Sequence, residues 1–279
     1  MTLDSIGDQV EEGTYPFHSR FHRVVNFRHG NILISVVNEE IGPGPRNIVV
    51  RDLDAGPACN RVAPLEVGAR MIAFNNCRFQ FTDNHYYHST VALDTCNPRR
   101  FHHNLSVFGD HLRTMSSPKS LSFLLDDKRT GNFRPGFERA FVGQIRRGVC
   151  QVMDGDLLRG VRHLKGCGLG LTPSGDDFIA GLLIGLNLLQ QLRGRDYRKT
   201  ADAVFRAAKG RNIFSNSFLD LARRGLLFGR MKDVILALVR DSEQAVRKST
   251  EKLLAIGGSS GADLGTGFFM TVRGEIEVS

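Results

Sequence analysis

One pattern occurs twice in this chain and restricts its folding more than any other stretch. Ser174-Gly-Asp-Asp-Phe-Ile-Ala-Gly181 and Ser260-Gly-Ala-Asp-Leu-Gly-Thr-Gly267 share Ser-Gly-x-Asp-x-x-x-Gly at an offset of 86 residues (260 − 174). Each copy follows a helical segment and opens an apolar run, so each reads as a helix N-terminus with a glycine one turn in. The first copy is preceded by Gly166-Cys-Gly-Leu-Gly-Leu-Thr-Pro173, where alternating glycines permit positive φ and Pro173 fixes a turn. Ser174 and Asp177 have the spacing of a capping box, and the first amides of the helix are expected to point outward. Glycine normally weakens a helix by up to about 1 kcal/mol relative to Ala. Gly181 and Gly185 are therefore expected to form a flat strip for another backbone, and two such helices packed glycine to glycine would bring both loops to one pocket.

The rest of the chain divides by hydrophobic period. Residues 1 to about 112 read as strands and loops. Arg23–Arg28 and Asn31–Val37 flank a hairpin turn at His29-Gly30, and Ile41-Gly-Pro-Gly-Pro is a hard break. Asn47–Val50, Arg70–Phe74, Arg78–Phe81 and Val91–Leu93 are further short strands. From Pro118 the period becomes helical: 120–126, 137–149, 154–164, the apolar run after the glycine loop, 201–209, 215–228, 231–239 and 242–256. The expected architecture is α+β, with a β-rich barrel or sandwich-like domain over 1–112 and a mainly helical domain over 113–279 that carries both glycine-rich motifs.

Charge and composition narrow the function. The 37 Lys and Arg against 29 Asp and Glu give +8, which favours small anionic ligands or an acidic partner surface. The basic residues are scattered without interleaved aromatics, so nucleic acid is not expected as a partner. The longest apolar run, Phe178–Leu189, falls short of the roughly 20 residues that a span requires, and no membrane is expected. Five cysteines, Cys59, Cys77, Cys96, Cys150 and Cys167, form no Cys-x-x-Cys pair, and no signal peptide precedes them; the expected location is the cytoplasm. His85, His88, His102 and His103 lack the spacing of a metal site, so no metal is expected, and the sequence specifies no cofactor. A Walker A loop is excluded because no Lys follows the final glycine.

The two motifs suggest a pocket in which helix-start amides hold anionic oxygens. Asp177 and Asp263 are the candidate catalytic residues, orienting an amide or a cation. Gly168, Gly170, Thr172, Ser174, Gly175, Asp176, Ser259, Ser260 and Gly261 are the candidate substrate contacts. Backbone at Gly168, Gly170 and Gly175 would meet phosphate or carboxylate oxygens, and Thr172 and Ser174 would donate hydroxyl hydrogen bonds. Catalysis would then rest on positioning and electrostatics, because Cys167 has no adjacent His to activate it. The two carboxylates are expected within about 10 Å of each other on one polar cleft, since one small ligand must reach both at hydrogen-bond distance.

At these residues the chain resembles the AllH-type family, the third subunit associated with bacterial oxamate carbamoyltransferase. The resemblance rests on Gly166-x-Gly-x-Gly-Leu-Thr-Pro-Ser-Gly-Asp-Asp with Gly181, and on Leu254-Ala-Ile-Gly with Ser260-Gly-Ala-Asp263; weaker similarity runs through Ser215–Gly225 and the Gly42-Pro-Gly region. Leu169 and Gly258 stand where the family often has Pro and His. The resemblance implies transfer of a carbamoyl group between phosphate and oxamate or oxalurate, in purine or allantoin catabolism, together with the other subunits of a carbamoyltransferase complex. The alternative is a non-catalytic scaffold or ligand-binding subunit, which the lack of a His in either motif favours.

Overall fold

The computed structural model describes residues 1–53, 63–75, 77–93 and 96–274. Two compact units emerge: Met1–Thr90 with Leu226–Gly229, and Val91–Gly225 with the chain from Arg230 onward. The class is α+β, as expected. Of the cysteines, Cys77, Cys96, Cys150 and Cys167 are free thiols, and Cys59 lies outside the described residues.

The first unit is built from β1 (Thr2–Gly7), β2 (Gly13–Tyr15), β3 (Phe17–Phe21), β4 (Val24–His29), β5 (Ile32–Val37), β6 (Asn47–Arg51), β7 (Leu65–Val67), β8 (Met71–Phe74), β9 (Cys77–Gln80) and β10 (Tyr86–Tyr87). Six strands form one sheet in the order β10-β1-β6-β5-β4-β3, and four form another in the order β2-β7-β8-β9. Neither closes on itself, so the barrel alternative gives way to two open sheets. Phe27, Ile34 and Ile48 of the first sheet share one apolar core with Leu65, Ile72 and Phe74 of the second. Each such side chain contributes about 1.5–3 kcal/mol on burial. The β4–β5 hairpin pairs His29 with Ile32, leaving Gly30 at φ +57 in the turn, as its sequence requires. Gly42, at φ +81, opens the break before β6, and β6 then runs parallel to β5. Val91–Leu93 is not a strand. The Ala92 carbonyl accepts from the Arg240 guanidinium at 2.9 Å instead of entering a ladder.

The second unit carries α1 (Pro98–Met115), α2 (Phe137–Met153), α3 (Leu157–Leu164), α4 (Ser174–Arg193), α5 (Arg198–Ala208), α6 (Ile213–Arg223), α7 (Gly229–Arg240), α8 (Glu243–Leu254) and α9 (Ser260–Arg273). The first of these corrects the reading of residues up to 112 as strands and loops. Asn97 caps it by accepting from the Arg100 N–H at 3.1 Å, Pro98 sits at its first turn, and Phe101, Leu105, Phe108 and Leu112 form its buried face. The dense Arg and His residues on its outer face obscured that period. The 120–126 stretch is a single 3-10 turn, Leu121–Leu124, and α6 ends at Arg223, with Gly225 at φ +70.

Helix α4 is buried from Gly175 to Gly185 without interruption, and α9 from Gly261 to Val272. A helix apolar on all sides must lie inside its layer. The two approach backbone to backbone. A Cβ on Gly181 would stand 2.0 Å from the Leu264 carbonyl oxygen, and one on Gly267 would stand 2.1 Å from that of Phe178. Gly185 is less tight, its Cβ meeting the Thr271 side chain at 2.8 Å. By contrast, Gly143 on the exposed face of α2 has nothing within 4 Å. Gly181→Ala and Gly267→Ala are therefore expected to lower the unfolding free energy by about 3 kcal/mol or more. Gly143→Ala is expected to raise it by up to about 1 kcal/mol. Urea unfolding followed by circular dichroism measures both, and equal effects at the three positions would contradict the packing.

Candidate functional site

The close approach of α4 and α9 sets their N-termini side by side, and each motif then reaches into the other. The Ser174 hydroxyl bonds the Asp263 carboxylate, and the Ser260 hydroxyl bonds that of Asp177. Each carboxylate also takes a hydroxyl from its own loop. Thr172 Oγ1 donates to Asp177 Oδ2 at 3.2 Å, and Ser259 Oγ to Asp263 Oδ2 at 2.8 Å. Thr172 Oγ1 and Ser260 Oγ lie 3.5 Å apart. The two loops meet, as the repeat requires.

The serines do not cap their own helices. Pro173 and Ser259 occupy the cap positions without a side-chain cap bond, so the expected capping box of Ser174 and Asp177 is absent. Ser174 sits at the first helical position, where its hydroxyl projects across to α9. The helix-start amides find backbone partners: Gly175 N–H donates to Cys167 O at 2.8 Å, Asp176 N–H and Asp177 N–H to Pro173 O at 2.9 and 3.1 Å, and Gly261 N–H to Ile256 O at 3.2 Å. Gly175 and Gly261 serve close packing, since a Cβ on either would stand 1.9 Å from a carbonyl oxygen, that of Leu164 or Leu253. Asp176 turns back to its own loop, accepting from the Gly166 N–H at 2.7 Å. Gly168 and Gly170, at φ +120 and +110, shape the loop itself.

Asp177 and Asp263 are 2% and 0% exposed, so the carboxylates do not face an open cleft as expected. A cleft of about 270 Å³ lies beside them, and Ser174, Ser259, Gly168 and Leu169 line it together with Lys119 and Glu138. Three phenylalanines, Phe133, Phe137 and Phe141, complete its wall. The two serines that line the cleft are the two whose hydroxyls bond Asp263, placing that carboxylate one hydroxyl below the surface. Lys119 Nζ donates to Glu138 Oε1 at 2.7 Å, and this contact with the Arg134 N–H holds Glu138 below the usual carboxylate range. Lys119, Glu138 and the Leu121 N–H, which donates to Asp263 Oδ1 at 2.6 Å, escaped the sequence reading. A lone Lys in the run Ser116-Ser-Pro-Lys-Ser120 was a visible signal, whereas a backbone amide carries none.

Burial pushes both carboxyl groups upward. Asp263 rises from 3.8 to about 6, because desolvation outweighs its bonds from Leu121, Ser174 and Ser259. Asp177 rises well above its ordinary value, chiefly through desolvation and further through the charge of Asp263, against the hydroxyls of Ser260 and Thr172.

Residues 164–272 match the sequence model of the family described as oxamate carbamoyltransferase subunit AllH. The match spans both motifs and the Ser215–Gly225 stretch. No curated protein and no solved structure matches the chain.

A carboxyl group that binds its proton more tightly in the folded state stabilises that state fully below its unfolded pKa, and the contribution is lost as pH rises through the folded value. For Asp263 the window runs from 3.8 to about 6, worth about 3 kcal/mol. Asp263→Asn should flatten the decline of stability across that window. Melting temperatures at closely spaced pH values give the comparison, and parallel curves for variant and wild type would exclude Asp263 as the titrating group.

Proposed function

We propose, for a chain whose residues 164–272 match the AllH family model, that it is a subunit of a carbamoyl-transferring enzyme acting on oxamate or oxalurate and carbamoyl phosphate. The ligand sits in the cleft beside the paired helix starts. In the direction from oxalurate, the bond between the carbamoyl carbon and the amide nitrogen breaks, a phosphate oxygen takes the carbon, and the nitrogen leaves with a proton as oxamate. The single observation that carries this reading is the exchange of serines: Ser174 and Ser259 line the cleft and commit their hydroxyl hydrogens to the ionised Asp263. A hydroxyl whose hydrogen is spent presents only lone pairs, so both oxygens accept N–H groups. Carbamoyl and oxamate groups each carry such an NH2. The anionic end of the same ligand would face the Lys119 ammonium and the loop backbone at Gly168 and Gly170. Asp177 and Asp263 act through Ser260, Thr172, Ser174 and Ser259, while Asp176, Gly175 and Gly261 hold the two motifs in place.

The second reading, a non-catalytic subunit that supports partner enzymes, is favoured by the lack of a His in either motif. Purified chain, alone and mixed with the other subunits, should be assayed for carbamoyl phosphate formation from oxalurate and phosphate. On the proposed role, Ser174→Ala and Asp263→Asn each lower the activity of the mixture by about tenfold or more, the scale of one charge-assisted hydrogen bond. Unchanged activity after Asp177→Asn and Asp263→Asn, with the complex still assembled, would leave the supporting role as the answer.

A further inference from the structure

Two groups of the candidate site come from one short connection, Ser116-Ser-Pro-Lys-Ser-Leu121, which has neither helix nor strand before its last residue. Lys119 lines the cleft, and the Leu121 N–H donates to Asp263 Oδ1 at 2.6 Å. We propose that Arg129 is a positioning residue for this site: its guanidinium fixes the connection and so sets where the Lys119 ammonium and the Leu121 N–H stand. The role of Lys119 toward a ligand rests on the carbamoyl-transfer reading above, whereas the support of Asp263 does not.

Irregular backbone leaves carbonyl groups that no helix or sheet satisfies, and the last turn of a helix leaves more. Arg129, on the 3-10 helix Asp127–Asn132, takes three of them. Its Nη1 donates to Arg113 O at 2.8 Å, and its Nη2 donates to Ser116 O at 2.7 Å and to Ser117 O at 2.8 Å. Arg113 lies in the last turn of α1, so one guanidinium closes that helix and holds the chain leaving it. Asn132, from the same 3-10 helix, donates to Pro118 O at 3.3 Å. A chain of buried hydroxyls then carries the grip to the turn at Leu121. Nη2 also reaches Ser116 Oγ at 3.2 Å, Ser116 Oγ donates to Ser122 Oγ at 2.6 Å, and Ser122 Oγ lies 2.8 Å from Ser120 Oγ. Ser120 spends its hydrogen on Ser117 O at 2.8 Å, so Ser122 must donate to it, and the chain ends on a carbonyl that Arg129 also holds. Ser120 and Ser122 flank Leu121, which places its N–H from both sides.

The chemistry of the contact calls for arginine. Its acceptors are neutral oxygens of one turn of chain, and a planar fork of N–H groups meets several of them in a fixed arrangement, where an ammonium offers a point charge without a plane. Arg129 touches neither the cleft nor the carboxylate, so its effect on the site passes through the backbone of the connection. Without it Asp263 would keep only the hydroxyls of Ser174 and Ser259, and Lys119 would lose the carbonyl contacts that fix the chain on either side of it. The competing anchor is packing: Leu121 and Phe123 are 0% and 1% exposed and could hold the turn by themselves.

Amide NMR of the full chain tests this without a substrate. A short bond to a carboxyl group moves the Leu121 amide proton downfield and protects it from exchange. In Arg129→Gln that proton should move upfield and exchange about tenfold faster or more. The Gly175 amide, whose bond to Cys167 O involves none of these groups, should keep its shift and its protection. Arg129→Lys, which keeps the charge, should restore part of the protection. Ser122→Ala cuts the hydroxyl chain and leaves the guanidinium in place; it should give a smaller change of the same kind, and it decides the matter if Arg129→Gln does not fold. In the oxalurate assay with the other subunits, Arg129→Gln should raise KM by about tenfold and lower kcat by less. An unchanged Leu121 amide in the variants, equal loss of protection at Leu121 and Gly175, or an unchanged KM would each overturn the proposal. Absence of oxalurate turnover by the wild-type mixture would count against the carbamoyl-transfer reading alone, because the amide signals still decide the role of Arg129.

Discussion

Two helices approach until backbone meets backbone only where side chains are missing from both, and α4 and α9 meet in this way at Gly181 and Gly267. Each glycine lies against the carbonyl of the residue three positions before the other glycine, Leu264 for Gly181 and Phe178 for Gly267. Gly181 to Gly267 and Phe178 to Leu264 are the same step along the sequence, so the contact is a local two-fold made from two copies of one pattern. A contact this close cannot slide by a residue without placing a Cβ on a carbonyl oxygen, which fixes the register of the pair. Once the register is set, Asp177 and Asp263, each one turn before its glycine, must face the serine of the opposite motif. The exchange of hydroxyls is thus a consequence of the packing.

That packing has an electrostatic cost, since it takes two carboxyl groups out of water. A buried carboxylate is tolerated when several donors reach it, and the two sites differ in how many they have. Asp263 has the hydroxyls of Ser174 and Ser259 and a backbone N–H at 2.6 Å, and its pKa stays near 6. Asp177 has the hydroxyls of Thr172 and Ser260, and burial, with the charges of Asp263 and Asp176, raises it well above its ordinary value. The Leu121 amide, supplied from a 3-10 turn outside both motifs, adds to the two hydroxyls in offsetting the upward push of burial on Asp263.

Much of this pair was legible in the sequence because a repeat with glycine at a fixed position has a geometric meaning. Gly181 and Gly267 predicted the contact, and the contact predicted that the loops meet. The destination of Ser174 was not legible. A serine at a helix start ordinarily bonds its own backbone, and only the neighbouring helix at van der Waals distance offers it a better acceptor. Helix α1 was missed for a different reason: Arg99, Arg100, His102 and His103 crowd the exposed face and hide Phe101, Leu105, Phe108 and Leu112. The hairpin at Gly30 was read correctly because positive φ in a two-residue turn depends on local sterics alone. The cleft itself was illegible, because Lys119, Glu138 and the three phenylalanines come from segments with no motif.

The direction of the serine hydrogens then sets which polar groups the cleft wall presents. Above about pH 6 Asp263 is ionised and can only accept, so Ser174 and Ser259 must turn their hydrogens inward and show lone pairs to the cleft. Once Asp263 gains a proton it becomes a donor to one of them, and that hydroxyl is released to donate outward. Protonation of Asp263 would therefore turn part of that wall from an acceptor of N–H groups into a donor toward oxygen. Because the Leu121 amide holds Asp263 near 6 instead of letting burial drive it higher, the acceptor form prevails at neutral pH. The three hydrogen bonds to that carboxylate thus set the polarity of the cleft as well as offset the cost of burying the charge.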